Sequence, residues 1–337
     1  MKRALQRGLL LLAVLALAAV GAGWWWLERP LPLRGPKVEV SIEPGTTPRE
    51  IAQDWVDAGV ETSPLLLYEW FRWSGQARRI RAGSYEIEPG TTPSALLRKL
   101  VLGDVTAATV RLIEGWTFRQ FRAELRKADS LKPATAAMSD AEVMAAIGAP
   151  GSSPEGRFFP DTYVYSKGSS DIDVLRRAHR AMQQRLEAAW AERTPDTPLR
   201  SADEALTLAS IVEKETGRAE DRSLVAGVFV NRLRAGMPLQ TDPSVIYGLG
   251  EAFDGNLRKR DLQADTPYNT YLRAGLPPTP IAMPGKDALM ATVRPAATKA
   301  LYFVARGDGA SIFSESLADH NRAVNKFQRG TARNTEP

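Results

Sequence analysis

Ile42-Glu43-Pro44-Gly45-Thr46-Thr47-Pro48 recurs without change as Ile87-Glu88-Pro89-Gly90-Thr91-Thr92-Pro93. Each copy follows an alternating stretch, Val38-Val40-Ile42 in the first and Tyr85-Ile87 in the second. A period of two is that of a strand with one buried face. Pro-Gly makes a turn, and Thr47 or Thr92 can then cap a helix whose first position is Pro48 or Pro93. Apolar residues follow at matching places: Ile51, Ala52, Trp55 and Val56 against Leu96, Leu97, Leu100 and Val101. That stripe is one buried helix face. A degenerate third copy, Ile113-Glu114-Gly115-Trp116-Thr117, precedes Phe118, Phe121 and Leu125. Repeated strand–turn–helix units predict an α+β fold.

The first copy, a strand, then Pro-Gly-Thr, then a helix opening near Ile51-Ala52, resembles the start of a LysM module. Such modules bind the N-acetylated glycan backbone of peptidoglycan or chitin, so the resemblance implies glycan contact by residues 38–105. Plain packing of duplicated units is the competing account.

Upstream, Lys2, Arg3 and Arg7 precede an uncharged run of twenty residues from Gly8 to Leu27. At 1.5 Å per residue such a helix covers about 30 Å, the thickness of a bilayer core. Trp24, Trp25 and Trp26 close the run, where amphipathic rings favour the membrane interface. The three positive charges predict a cytoplasmic amino terminus and an exported remainder, in the inner (cytoplasmic) membrane with the working part periplasmic. A cleaved signal peptide is the alternative, because Leu9–Val20 alone has the length of its apolar region. Glu28–Lys37, with three prolines, reads as a short stiff linker.

The chain has 337 residues, 44 Lys+Arg against 39 Asp+Glu, two His and no Cys. Removing the three membrane-flanking positives leaves +2 of the formal +5, which argues against a nucleic-acid partner. Without Cys there is no thiolate chemistry, disulfide scaffold or iron–sulfur ligation. With only His179 and His320, a three-histidine metal site is excluded, and no metal or cofactor is expected. No G-x-x-x-x-G-K-S/T loop occurs, and Gly248-Leu249-Gly250 lacks the third glycine of a dinucleotide loop.

Asp171–Arg193 reads as a long amphipathic helix in which His179 has a surface or half-buried structural place. Leu301–Arg306 and Ala310–Phe313 flank Gly307-Asp308-Gly309 as a hairpin. Residues 330–337 read as a disordered tail. Ser201-Ala202-Asp203-Glu204 reads as a capping box opening a helix to about Thr216, with Gly217 placed to end it. Its apolar face is Ala205, Leu208, Ala209, Ile211 and Val212, opposite a polar face of Asp203, Thr207, Ser210 and Lys214. Glu213 and Glu215 lie at the two borders, about 160° apart, so they cannot serve one site as a pair. A carboxyl held against apolar neighbours keeps its proton to higher pH, as a general acid requires; two solvated glutamates are the bland alternative.

Leu208-Ala209-Ser210-Ile211-Val212-Glu213-Lys214-Glu215-Thr216 resembles the signature of the YceG-like family, the endolytic murein transglycosylases. The resemblance continues through Val228–Leu233, Leu239-Gln240-Thr241-Asp242-Pro243, Val245–Gly248, Tyr268-Asn269-Thr270-Tyr271, Gly275–Pro278, Pro284-Gly285, Leu301–Ala305 and His320-Asn321. It implies that Glu213 is the catalytic residue and Glu215 a structural or supporting carboxylate. Where the family carries a His in the last hairpin, this chain reads Ala310-Ser311-Ile312-Phe313.

The implied reaction cuts the bond between N-acetylmuramic acid and N-acetylglucosamine in nascent strands and leaves 1,6-anhydromuramyl ends. One carboxyl suffices, because the muramyl C6 hydroxyl replaces water. Gln240, Asp242, Asn269 and Tyr271 combine rings, amides and acid in loops suited to sugar contact. Expected partners are peptidoglycan strands, the membrane through one helix, and peptidoglycan synthases.

The organisation expected is a cytoplasmic tail (1–7), a transmembrane anchor (8–27), a linker (28–37) and a LysM-like region (38–105). A connecting region (106–165), a mixed α/β catalytic domain (166–329) and the tail follow. The rivals are a non-catalytic glycan-binding scaffold for wall synthesis and a pyridoxal-phosphate lyase of pterin synthesis, whose cytoplasmic substrate an exported chain does not meet.

Overall fold

The computed structural model describes residues 2–43 and 45–329; the expected disordered tail lies outside the described residues. The chain is α+β and divides into two compact units. The first comprises the residues up to Thr109 with Asp129–Lys132 and Val164–Ser170; the second comprises Val110–Ala128, Pro133–Tyr163 and the chain from Asp171 onward.

The first unit opens with α1 (Lys2–Glu28), whose Leu10–Glu28 stretch is long and apolar enough to cross a membrane. Then come β1 (Val38–Ile42), α2 (Pro48–Asp57), α3 (Pro64–Trp73), β2 (Gly83–Ile87) and α4 (Pro93–Leu102). β1 and β2 pair antiparallel from Val38 opposite Ile87 to Ile42 opposite Gly83. Val38, Val40 and Ile42 point into a core with Trp55, Leu67, Phe71, Tyr85 and Leu100.

The two identical segments repeat their bonding as well as their letters. Thr46 donates its N–H and its hydroxyl to the Glu43 carbonyl at 3.2 and 2.9 Å. Thr91 does the same to Glu88 at 3.1 and 2.8 Å. Thr47 and Thr92 are the N-caps of α2 and α4, each with proline next. The segment read as a short stiff linker is stitched into the unit that follows it. Leu31 is buried and donates its N–H to the Thr91 carbonyl at 2.8 Å, and Leu33 bridges Val60.

The chain continues through β3 (Ala107–Arg111), α5 (Phe118–Lys127), α6 (Asp140–Ala146), β4 (Thr162–Ser166) and α7 (Asp171–Ala191). Thr117 caps α5 in a full capping box with Gln120, so the third copy keeps the cap. Then follow α8 (Ala202–Glu215), α9 (Ala219–Arg234), α10 (Asp242–Leu249) and α11 (Lys286–Val293). The last elements are β5 (Tyr302–Ala305), β6 (Ser311–Ser314) and α12 (Leu317–Val324). β5 and β6 form the expected hairpin.

The core of the second unit is centred on α8, which packs against α7, α9, α10 and α11. That surround corrects the polar face expected for this helix. Thr207 and Ser210 are 6% and 0% exposed, and both turn their hydroxyls back to the helix carbonyls of Asp203 and Thr207. Ser210 also accepts the Ile281 N–H at 2.9 Å, so its hydroxyl is a buried crosslink.

The capping box at its start is half made. Ser201 accepts the Glu204 N–H, but the Glu204 carboxylate reaches one residue further, to the Arg200 N–H at 2.7 Å. α8 stops at an extended Thr216 (φ −146°), with no left-handed glycine behind it. His179 is 8% exposed with its ring 5.8 Å from that of Phe158, inside the core rather than at the surface.

Candidate active site

The last turn of α8 carries two carboxyls where the free helix carbonyls make the local potential negative, which by itself disfavours ionisation. The turn sends them to different places. Glu215 points towards the loop before α10, and its Oε1 accepts a hydrogen bond from the Thr241 hydroxyl. Burial pushes its carboxyl up to about 7; Thr241 opposes the shift, the neighbouring Asp242 charge adds to it, and Arg232 opposes it.

Around Glu215 lies a cleft of about 550 Å³ lined by Arg232, Gln240, Asp242, Tyr271, Tyr302 and His320 among others. Arg232 is 7% exposed and frames it. Its Nε donates to the Leu301 carbonyl at 2.7 Å, and its Nη1 to the Leu239 carbonyl at 2.8 Å and Gln240 Oε1 at 3.3 Å. One guanidinium thus ties α9, the approach to β5 and the 239–240 loop around one carboxyl. Gln240 has φ +51°, a left-handed conformation unusual for a non-glycine, held by its N–H bond to the Thr270 carbonyl at 3.0 Å. The Tyr271 hydroxyl donates to Asp242 Oδ1 at 2.6 Å. The His320 ring stacks on Tyr302 at 5.3 Å.

Asn269 is fully buried, with 0% exposure. Its Nδ2 donates to the Leu262 and Ala264 carbonyls at 3.0 and 2.8 Å, and its Oδ1 accepts the Tyr271 N–H at 2.9 Å. It shapes the loop that presents Tyr271 and offers no atom to the cleft. The structure therefore gathers Gln240, Asp242 and Tyr271 around Glu215, with Asn269 behind them.

Glu213 is not among the residues lining this cleft. Its Oε2 accepts the Gly285 N–H at 2.9 Å, at the N-cap of α11. Its side chain is 8% exposed, with Arg222 Nη2 at 3.9 Å from Oε1. Burial raises its carboxyl, the Gly285 bond lowers it, and the nearby Glu114 charge raises it further. Glu114 is close on the far side of Gly285, where a methyl would run into its carboxylate. Gly115 completes this corner: its N–H goes to the Met283 carbonyl at 2.9 Å, and its carbonyl accepts from Lys214 Nζ at 3.3 Å. A buried carboxylate satisfying an orphan N–H at a helix start is a fastening.

A third carboxyl escaped sequence reasoning altogether. Glu155 is 5% exposed, accepts the Phe118 N–H at 3.0 Å at the start of α5, and accepts the Tyr247 hydroxyl at 3.2 Å. Burial pushes it up to about 7. A folded-state value above the ordinary carboxylate range means that the folded chain holds the proton more tightly. Its stabilising contribution is present in full below the ordinary range and is lost as pH rises through about 7. Thermal melts of Glu155→Gln are expected to show a flatter decline in stability between pH 5 and 8 than the parent chain. The difference is at most about 3 kcal/mol, since one unit is worth about 1.4. Identical slopes would remove Glu155 from the account.

Among the described residues no group of three His, Asp or Glu side chains is placed to hold a metal ion. The chemistry on offer is that of a buried carboxyl in a polar, ring-lined cleft, beside a helical core and a terminal hairpin.

That combination has counterparts among known proteins. The sequence pattern of the YceG-like family matches residues 40–326, and the chain belongs to that family. A protein of Bacillus subtilis (strain 168) named endolytic murein transglycosylase is 38% identical over 174 residues, which is 51% of this chain and 48% of that protein. A protein of the same name from Streptococcus pneumoniae (strain D39) is 27% identical over 320 residues, 85% of this chain and 58% of that one. The chain thus spans about half the length of the curated relatives it matches. A crystal structure of a yceG-like protein from Listeria monocytogenes superposes with a TM-score of 0.55 at 29% identity, over 85% of this chain and 98% of that one.

Proposed function

We propose that this chain is an endolytic murein transglycosylase in which Glu215, rather than Glu213, is the proton-transferring group. Membership of the YceG-like family and the names of its relatives support the activity. The observation that carries the residue assignment is that Glu215 lines one cleft with Gln240, Asp242 and Tyr271, while Glu213 serves the start of α11.

A carboxyl held up to about 7 keeps its proton in roughly half of the molecules near neutral pH, and that protonated form is the one that enters the reaction. It gives its proton to the glycosidic oxygen as the muramyl C1–O bond breaks. The resulting carboxylate then takes the proton of the muramyl C6 hydroxyl as O6 closes on C1, which restores the acid and consumes no water. General acid and general base are one group in sequence. Tyr271 and Gln240 offer ring and amide contacts to the sugars; Asn269 and Arg232 hold the loops that present them.

Asp242 supports a second reading, hydrolysis, because it places another carboxylate in the cleft and glycosidases use two. Its tie to Tyr271 favours an orienting role. We place α1 across the inner membrane, the amino terminus in the cytoplasm and the remainder in the periplasm. In the same scheme residues 38–105 contact glycan, residues 166–329 carry catalysis, and peptidoglycan synthases supply the nascent strands.

Full-length protein in detergent, incubated with uncrosslinked glycan strands, is expected to release fragments ending in 1,6-anhydromuramic acid by mass spectrometry. Reducing muramyl ends would instead establish hydrolysis. No new ends, with glycan still retained, would establish a binding scaffold.

A further inference from the structure

α3 turns Leu67 and Phe71 fully into the core of the first unit. Its other side carries Leu66, Trp70 and Trp73 at i, i+4 and i+7, a single stripe along the helix. Leu66 is 51% and Trp73 77% exposed, a costly arrangement for side chains of this size in water.

The position of the stripe within its unit is informative. Trp70 donates its indole N–H to the Pro93 carbonyl at 3.2 Å, at the first residue of α4. Two residues earlier, the Thr91 carbonyl takes the Leu31 N–H, three residues beyond the end of α1. Trp26, in the last turns of α1, packs on the same core as Trp70. Between them the chain is pinned: Arg34 donates its N–H to Gly59 and Glu61 to Pro32, at 2.9 and 2.8 Å. No free spacer separates the exit of α1 from this body.

The side chains also have interfacial chemistry. The Trp73 indole N–H donates to Glu69 at 3.0 Å, and the Arg72 guanidinium sits 5.5 Å over its ring. At the end of α1, Arg29 lies 4.6 Å over Trp25. Ring bodies with polar tips and flanking guanidinium groups suit the boundary between headgroups and acyl chains.

We propose that the Leu66–Trp70–Trp73 face of α3 lies in the headgroup–acyl boundary of the bilayer that α1 crosses. The first unit then rests on the membrane surface instead of standing off it. The proposal depends on reading α1 as a membrane span, and its occupant is lipid because Trp70 is tied to Pro93, two residues from the Thr91 carbonyl that holds the chain leaving α1, and shares a core with Trp26 of α1.

The absence of cysteine makes the test direct. Single variants Leu12→Cys in the span, Leu66→Cys and Trp73→Cys on the stripe, and Asp104→Cys beyond the far end of α4 would each carry one nitroxide. The full chain is reconstituted in phosphatidylcholine–phosphatidylglycerol vesicles. Collision with lipid-soluble oxygen is then compared with collision with a water-soluble nickel chelate. At positions 66 and 73 the oxygen-to-nickel ratio is expected to exceed that at 104 several-fold. Nickel access at 66 and 73 with oxygen access at 12 would overturn this proposal and leave the span standing. Nickel access at 12 would overturn both. Shielding from both reagents at 66 and 73 would mark a contact between copies of the chain and overturn the lipid assignment.

Discussion

Glu215→Gln is expected to lower glycan cleavage by roughly 10²–10⁴-fold while leaving the melting transition in place. The amide keeps the volume and still accepts the Thr241 hydroxyl bond that fixes the carboxyl; only the transferable proton is lost. Under the proposed mechanism the parent chain should lose cleavage activity as pH rises through about 7, because Glu215 must enter the reaction protonated. Asp242→Asn removes a charge that raises the Glu215 carboxyl, so that limb should move to lower pH.

Glu213→Gln makes the decisive comparison. It keeps an acceptor for the Gly285 N–H and loses only the longer approach to Arg222 at 3.9 Å, so most activity should survive. If the rates reversed, with Glu213→Gln inert and Glu215→Gln close to normal, the proton would belong to Glu213.

Gly156→Ala should be the most damaging single methyl in the second unit. Gly156 has φ +79°, a conformation that costs a side-chain-bearing residue about 1–2 kcal/mol. A Cβ there would also come within 2.5 Å of Pro280 Cγ and meet the Ala282 carbonyl at 3.5 Å. The proline ring cannot rotate away as a flexible side chain would, so overpacking adds about 1–3 kcal/mol. The combined loss, about 2–5 kcal/mol, would appear in urea unfolding as a lower midpoint at unchanged slope. By contrast, Gly285→Ala meets only the movable end of the Glu114 side chain and should cost far less. A change below about 0.5 kcal/mol at Gly156 would contradict this packing argument.

What could be read from the sequence follows how local each cause is. The Thr-Pro helix starts at residues 47–48 and 92–93 are decided by a few neighbouring residues, and they stand as expected. The terminal hairpin was equally plain. α8 was legible as a helix but not as a buried one. A single stretch gives no sign that four other helices surround it, so Thr207 and Ser210 passed for a polar face.

The site shows the same division. Gln240, Asp242 and Tyr271 announced themselves as rings and polar groups in loops. Which of two glutamates 160° apart would face them depends on where the loop before α10 and the start of α11 come to lie. Nothing local marked Arg232 within Val228–Leu233, because its four acceptors, the Leu301, Pro238 and Leu239 carbonyls and Gln240 Oε1, lie outside its helix. Glu155 sits in a turn with no periodic signal, and only tertiary packing closes over it.

The stitched segment after α1 has a mechanical consequence. Ten unstructured residues would form an entropic spring with a root-mean-square reach of roughly 17 Å, soft enough to absorb pulls on α1. Leu31 buried beneath Thr91 and Leu33 paired with Val60 replace that spring with a rigid coupling. In the proposed arrangement with α1 across a membrane, drag from the bilayer is borne by the β1–β2 core itself.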